Sequence, residues 1–482
     1  MKTDRLEMRM DGTGAVAAAS GRGALAGLAL SMLLASLGTS AANVALPDLA
    51  VAFGATFQAV QWVVLAYLLA ITTLIVSVGR LGDLTGRRRL LLAGLALFSV
   101  ASALGGAAPT LALLLAARAL QGLGAAVMMA LTLAFVADVV PRERTGRAMG
   151  LLGTMSAVGT ALGPSLGGLL LAGPGWRAIF FINLPFGLAA LYLARRHLPQ
   201  DVRRADAPRP AFDIPGTLLL AGSLGAYALA MTLGRGHFGG LNLALLVAAA
   251  VGVALFVAVE RRAASPLVAL AMFRDRLLAA CLVTSLLVST VVMATLVVGP
   301  FYLAGALGLD AARVGLVVSV GPVVAALAGV PAGRIADRFG AQPATIAGLT
   351  GMTVGAVLLA ALPAASGVAG YVVPIAILTA SYALFQTANN TAAMTAVGAE
   401  RRGAMSGMLN LSRNLGLVTG ASVMGAVFAA AVGVADIAGA TPEAVAAGMQ
   451  RTFGVATGLL VVALGLAVRA WRAVRRTPGG RR

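Results

Sequence analysis

Fourteen apolar stretches divide this 482-residue chain, each long enough to cross a bilayer as a helix. They lie at 23–47, 58–79, 90–108, 110–136, 147–172, 177–194, 213–234, 241–259, 277–304, 312–332, 341–363, 369–397, 403–433 and 452–470. Backbone groups in hydrocarbon must be satisfied within their own helix or a closed barrel, so stretches of this length predict an all-α integral membrane protein. Hydrophobic residues make up 59% of the chain, charged ones only 11%, and the mean hydropathy is +0.93. A soluble protein of this length needs far more polar surface. Sixty glycines suit helices that approach closely in lipid. The single Cys281 excludes an intrachain disulfide, and two histidines supply no histidine-rich metal site. The first stretch lacks a convincing cleavage site and reads as a retained helix rather than a signal peptide.

The net charge of +19 follows topology. With the N terminus inside, 30 of the 36 Lys/Arg fall in interior connections and their membrane edges. Arg177, Arg235, Arg313 and Arg451 lie in exterior connections, while Arg118 and Arg413 lie within helices. This bias places both termini in the cytoplasm and favours anionic membrane lipids as neighbours, not nucleic acid.

Two charged turns occur twice. GRLGDLTGRRR at 79–89 is echoed by GRIADRFG at 333–340, with Gly79/Gly333, Arg80/Arg334, Gly82/Ala336 and Asp83/Asp337 each 254 residues apart. RTGRAMG at 144–150 is echoed by RRGAMSG at 401–407, with Gly146 and Gly403 257 residues apart. The near-constant offset indicates an internal duplication: six helices, two extra helices, then six more. The expected units are a cytoplasmic segment 1–22, a bundle 23–194, a cytoplasmic linker 195–212, an inserted pair 213–259, a second linker 260–276, a bundle 277–470 and a basic tail 471–482. Few polar residues mark the inserted pair, which reads as peripheral and lipid-facing.

Further motifs carry a resemblance over residues 28–470: ARALQGLGAA at 117–126, GTALGPSLGG at 159–168, NVALP at 43–47, QWVVLAYLLA at 61–70 and WRAIFFINLPFG at 176–187. With GRLGDLTGRRR, they make the chain similar to the major facilitator superfamily, specifically its fourteen-span drug:proton antiporter family. The resemblance implies a 6+2+6 arrangement with two pseudo-symmetric halves in a bacterial-type cytoplasmic (inner) membrane. It also implies a secondary transporter that exports small amphipathic compounds by proton antiport and alternating access. Uniport or import of a neutral or anionic solute is an alternative, as is a transporter-like receptor or scaffold. No phosphate loop, metal cluster or catalytic triad suggests an enzyme, and no nucleotide-binding subunit is required. The expected partners are the amphipathic substrate, lipids and protons, with a proton gradient in place of any cofactor. The oligomeric state stays open.

The repeated turn has two readings. Gly79 and Gly82 permit a tight helix exit, Asp83 can cap the next helix or pair with an arginine, and Arg87, Arg88 and Arg89 suit the interface. A conformational latch is the second reading: Gly79, Arg80, Gly82, Asp83, Arg87 and Arg88 in one half, Gly333, Arg334, Asp337 and Arg338 in the other. In the fifth stretch, Gly159, Gly163 and Gly167 share a helix face, beside Pro164 and Gly168. Helix packing explains the spacing, and the resemblance to the antiporter motif adds a bend that seals the pathway.

No Asp or Glu sits in the middle of a stretch. The family's first-helix pattern LDxTIVNVALP is met here by LGTSAANVALP at 37–47, with Gly38 where relatives commonly carry an acid. Candidate coupling residues are Asp48, Arg118 and Asp138. Candidate cavity residues are Asn43, Tyr67, Gln121, Asn183 and Tyr302, together with Asn389, Asn390, Asn410, Arg413 and Asn414. The asparagines around Arg413 suit neutral or partly anionic substrates, or an interhelical polar network.

Overall fold

The structure, a computed structural model, describes the backbone of residues 3–75, 77–140, 145–201, 214–233, 239–262, 275–361, 363–397, 402–433 and 439–476. Each apolar stretch becomes a helix or an interrupted helix. In chain order these are α1 (Thr3–Val44), α2 (Phe57–Ile75), α3 (Arg87–Gly106), α4 (Leu111–Val139) and α5 (Thr145–Ala172). Next come α6 (Trp176–Phe181 with Asn183–His197), α7 (Ile214–Thr232), α8 (Gly240–Arg262), α9 (Arg276–Phe301) and α10 (Ala311–Phe339). The last four are α11 (Ala341–Ala361), α12 (Gly367–Thr395), α13 (Arg402–Thr419 continuing to Gly425–Val432) and α14 (Pro442–Arg476). Among the described residues 13 helices are long and apolar enough to span, and α5, 28 residues long, has a shorter apolar run at Val158–Ala172. Arg87–Arg89 open α3 and mark one end of the bundle as arginine-rich. The start of α2 and the end of α1 lie at the opposite, far end.

Close approach of helices explains the glycines. A Cβ at Gly159 would collide with the Leu33 carbonyl of α1, and one at Gly416 with the Leu286 carbonyl of α9. A Cβ at Gly163 would strike Ser40, and one at Gly420 would strike the Thr290 carbonyl and Met293. Both glycine pairs keep the 257-residue offset, so α5 on α1 and α13 on α9 are repeats of one contact. The local backbone differs between the copies. Pro164 lies inside the continuous helix α5, whereas at the matching place in α13 a five-residue π-helical stretch, Gly420–Met424, widens the helix. Gly86 (φ +97°) and Gly340 (φ +88°) repeat at 254 residues and start α3 and α11 with a backbone that favours glycine.

The two six-helix sets meet mainly through α5 and α10, where Gly168 and Gly315 face each other, a Cβ on Gly168 lying 2.7 Å from the Gly315 Cα. Near the far end, Phe57 of α2 packs against Phe301 of α9 and Phe428 of α13, with ring centroids 4.7 and 5.6 Å away. These rings belong to the largest buried apolar cluster, which draws on both sets.

The inserted pair departs from the peripheral expectation in one helix. α8 exposes Leu243, Val247, Val251 and Leu255, as a lipid-facing helix should. α7 instead straddles the seam. Trp62 of α2 donates its indole N–H to Thr232 at 3.0 Å, and the Ser77 and Thr217 hydroxyls lie 3.1 Å apart. The Tyr227 hydroxyl faces Thr419 and Ser422 of α13. Thr217, Tyr227 and Thr232 select that face for protein instead of lipid, while a fourth polar residue, Ser223, faces Gly252 of α8. The sequence reading also ends α8 too early: Glu260, placed in the linker 260–276, lies inside α8 and is 2% exposed. Glutamate and arginine are good helix formers, so the helix outlasts its apolar run. Most of the 195–212 and 260–276 linkers lies outside the described residues.

Candidate functional site

Arg118 is 1% exposed inside α4. Its Nε donates to the Val63 carbonyl at 2.8 Å, and one terminal nitrogen donates to the Gly38 carbonyl at 2.9 Å and to Gln121 Oε1 at 2.6 Å. Gln121 passes the chain on to Ser102 Oγ at 2.7 Å. The Tyr67 ring lies 4.2 Å beneath the guanidinium, and the Tyr67 hydroxyl donates to the Ala35 carbonyl at 2.8 Å. The family's acid would stand at position 38. Here a backbone carbonyl takes the arginine, and an added Cβ would lie 3.0 Å from the Tyr67 hydroxyl. The second terminal nitrogen, Nη2, is buried without a hydrogen-bond partner. The arrangement holds a fixed cation among neutral acceptors.

A second polar cluster lies between α9, α12 and α13, toward the arginine-rich end. It surrounds a cavity of about 100 Å³. Arg413, Asn410, Asn389 and Asn390 line it, so four residues singled out from the sequence converge. Tyr382, Gln386, Ser285 and Ser289 also line it and were not anticipated, because their helices carry no motif that distinguishes them from packing residues. Asn389 is anchored by donating to the Cys281 carbonyl at 3.1 Å. Phe385, Met394 and Leu409 supply an apolar wall. Among the described residues no carboxylate lines the cavity.

The other cavity candidates fall elsewhere. Asn43 and Asn183 donate to carbonyls of their own turns, at 2.9 Å (Thr39) and 3.2 Å (Ile179), because a buried amide on a helix finds the i−4 carbonyl nearest. Tyr302 stacks on Tyr371 near the far end, with centroids 6.0 Å apart. Asn414, 4% exposed, is not part of the cavity lining. Tyr67 and Gln121 belong to the Arg118 network.

At the repeated turn, the surroundings of Gly79 and the side chains of Arg80 and Asp83 lie outside the described residues, as does the side chain of Asp138. The carboxylate found at the start of α3 is Asp201, just beyond α6. Its Oδ1 accepts from the Arg88 backbone N–H at 2.8 Å and its Oδ2 from that of Arg89 at 3.1 Å. The Arg88 guanidinium donates to the Arg195 carbonyl. Sequence proximity favoured Asp83 for this capping role, whereas the residue that fills it is more than 100 positions away. Gly82 is buried, with an added Cβ 3.2 Å from Leu131. In the second copy Arg334, Asp337 and Arg338 are exposed, and among the described residues Asp337 makes no ion pair.

In α5, Gly159, Gly163 and Gly167 seat on α1 of the same bundle, while Gly168 and the Pro164 carbonyl meet Gly315 of the other bundle. Asp48 is exposed on the short helix Leu46–Phe53 at the far end, where partial burial raises its carboxyl above the ordinary value.

Long apolar helices enclosing buried polar clusters define a polytopic membrane protein. A Major Facilitator Superfamily profile matches residues 28–421, and the chain belongs to that superfamily, whose members transport solutes and are not enzymes. It is 36% identical over 407 residues to multidrug resistance protein Stp of Mycobacterium tuberculosis, covering 84% of this chain and 75% of that protein. It is 32% identical over 439 residues to multidrug efflux pump LfrA of Mycolicibacterium smegmatis, covering 90% and 86%. Among solved structures it resembles a bacterial homolog of the human lysosomal transporter Spinster, in an inward-facing, unoccupied conformation. The TM-score is 0.68 at 17% identity, over 94% of this chain and 97% of that one. The protein is therefore a multi-pass, bacterial-type secondary transporter of small solutes.

Proposed function

We propose that this transporter exports small amphipathic compounds from the cytoplasm by alternating access, as a fourteen-span member of the drug-exporter branch. The observation that carries this reading is the placement of closure and cavity along one axis. Gly168–Gly315 and the Phe57, Phe301 and Phe428 rings join the two bundles near the far end. The Arg413 cavity lies toward the arginine-rich end. With that end cytoplasmic, as the positive-inside pattern requires, a solute enters from the cytoplasm and leaves when the far contacts part. The drug-efflux names of the relatives support the solute class.

Proton antiport is the drive expected for such an exporter. Its described carrier candidate is Asp48, because Arg118 meets a carbonyl at Gly38 and not an acid. Purified protein in sealed, oriented proteoliposomes tests the reading: a panel of amphiphiles is loaded and its movement followed with and without an imposed pH gradient. Saturable movement of a panel member toward the far face supports export, and acceleration by the gradient supports antiport. Movement only in the reverse direction overturns export.

A further inference from the structure

The cavity between α9, α12 and α13 offers donors and one positive charge. Arg413 is half-buried, and among the described residues it makes no hydrogen bond or ion pair. Its planar guanidinium presents a fork of N–H donors that matches a carboxylate in bidentate geometry. Tyr382 interacts with it electrostatically from across the cavity, and Asn390 and Gln386 add amide donors. Phe385, Met394 and Leu409, the last one turn before Arg413 on α13, line the same cavity with apolar surface. Such a surface pairs a fixed cation with a hydrophobic shelf.

The rest of the interior reinforces this sign. The other arginine set inside the bundle, Arg118, also lacks an acidic partner, since its contacts are Val63, Gly38, Gln121 and the Tyr67 ring. A lipophilic cation entering this pathway would face two like charges in a low-dielectric setting, which disfavours it strongly. An amphiphile with an acid group would supply the missing partner.

Resting on the export reading above, we propose that the substrates are organic anions, amphiphiles whose carboxylate or similar acid group docks on Arg413 while the apolar part lies against Phe385, Met394 and Leu409. The cavity of about 100 Å³, walled by α9, α12 and α13, takes the acid-bearing head. Specificity lies in the charge-assisted fork: a group lacking the anion leaves Arg413 unpaired, and a cation is repelled.

Three dyes on one xanthene frame test this: a carboxylate-bearing anion, its neutral ester and a cationic rhodamine. Each is loaded into proteoliposomes, and its saturable movement is measured for the native protein, Arg413→Gln and Arg413→Lys. The expected result is transport of the anion in preference to the other two. Arg413→Gln should raise the anion's KM about 10- to 100-fold, the range for losing a charged hydrogen-bond partner. Arg413→Lys, which keeps charge without the fork, should fall between. Equilibrium binding of the anion and ester to the native protein by fluorescence anisotropy gives the same comparison should the Gln variant fold poorly. Preferential transport or binding of the cation or ester overturns the anion class while leaving export standing. Equal losses for all three dyes in the Gln variant assign Arg413 a structural role and also overturn it. No movement of any dye overturns export and the anion class together.

Discussion

Gln61 of α2 donates its side-chain N–H to the Ala421 carbonyl of α13, 2.7 Å away, and so ties one six-helix bundle to the other. Gln61 is 1% exposed, and a Cβ on Gly425 would occupy its amide nitrogen. Ala421 lies in the π-helical stretch, where the widened turn frees a carbonyl from its usual helical partner. The bond therefore exists only because the irregular turn in α13 faces a long polar side chain on α2. It sits about one turn inside the Phe57, Phe301 and Phe428 seal, and opening the far end must break it.

Replacing Gln61 with leucine should bias the transporter toward far-end opening. One buried hydrogen bond is worth about 1 kcal/mol, so the open population should rise about fivefold. Spin-label distances between the Phe57 and Phe428 regions report this directly. An unchanged distance distribution would remove Gln61 from the closure mechanism.

Arg118 should be a structural requirement in the first bundle. Arg118→Ala leaves the Gly38 and Val63 carbonyls and Gln121 without their donor, at a cost of about 2–5 kcal/mol. Arg118→Lys keeps the charge but cannot reach all three acceptors and should recover only part of the loss. Thermal unfolding in detergent ranks the variants, and equal melting of native and Ala proteins would contradict the network.

The repeated glycine contact predicts matched penalties. Gly159→Ala and Gly416→Ala should each destabilise by about 1–3 kcal/mol, because each Cβ meets a backbone carbonyl that cannot rotate away. Gly407→Ala, in the same helix as Gly416, meets nothing within 4 Å and should melt at or above the native temperature. Similar melting of all three variants would argue against the shared packing.

Asp201→Ala should cost about 1 kcal/mol through loss of the cap on α3 and should raise hydrogen exchange at Arg88 and Arg89. Protection that stays at native levels would show the cap to be dispensable.

Asp48 gives a pH-dependent prediction. Its folded pKa is raised by desolvation, so the ionised form is disfavoured by folding, and this small cost is present at neutral pH. It disappears as the pH falls through the folded value and below that of the unfolded chain. Asp48→Asn should therefore be slightly more stable than the native protein at pH 7 and equal to it under acid. A native protein that is the more stable at pH 7 would reverse the sign.

The sequence by itself determined that the chain is a multi-span helical membrane protein and where its apolar helices fall, because a hydrophobic run of bilayer length has few alternatives to a membrane helix. It also carried the internal repeat, since charged turns at a fixed offset survive in the linear order and the matched contacts of Gly159 and Gly416 keep nearly the same spacing. Asn389, Asn390, Asn410 and Arg413 were legible as a cluster because polar residues in apolar helices stand out. Tertiary structure alone decided which polar residue met which partner. Asp201 reaches α3 from beyond α6, Gly38 presents a carbonyl to Arg118, and Gln61 finds Ala421 at a distance of 360 residues. Those bonds depend on helix rotation, on helix-to-helix distance set by small residues and on a local widening of α13. The glycine spacing signals close helix packing, but helix rotation and the local widening have no such signature, because a backbone carbonyl acquires its role only when a neighbouring helix brings a donor to it.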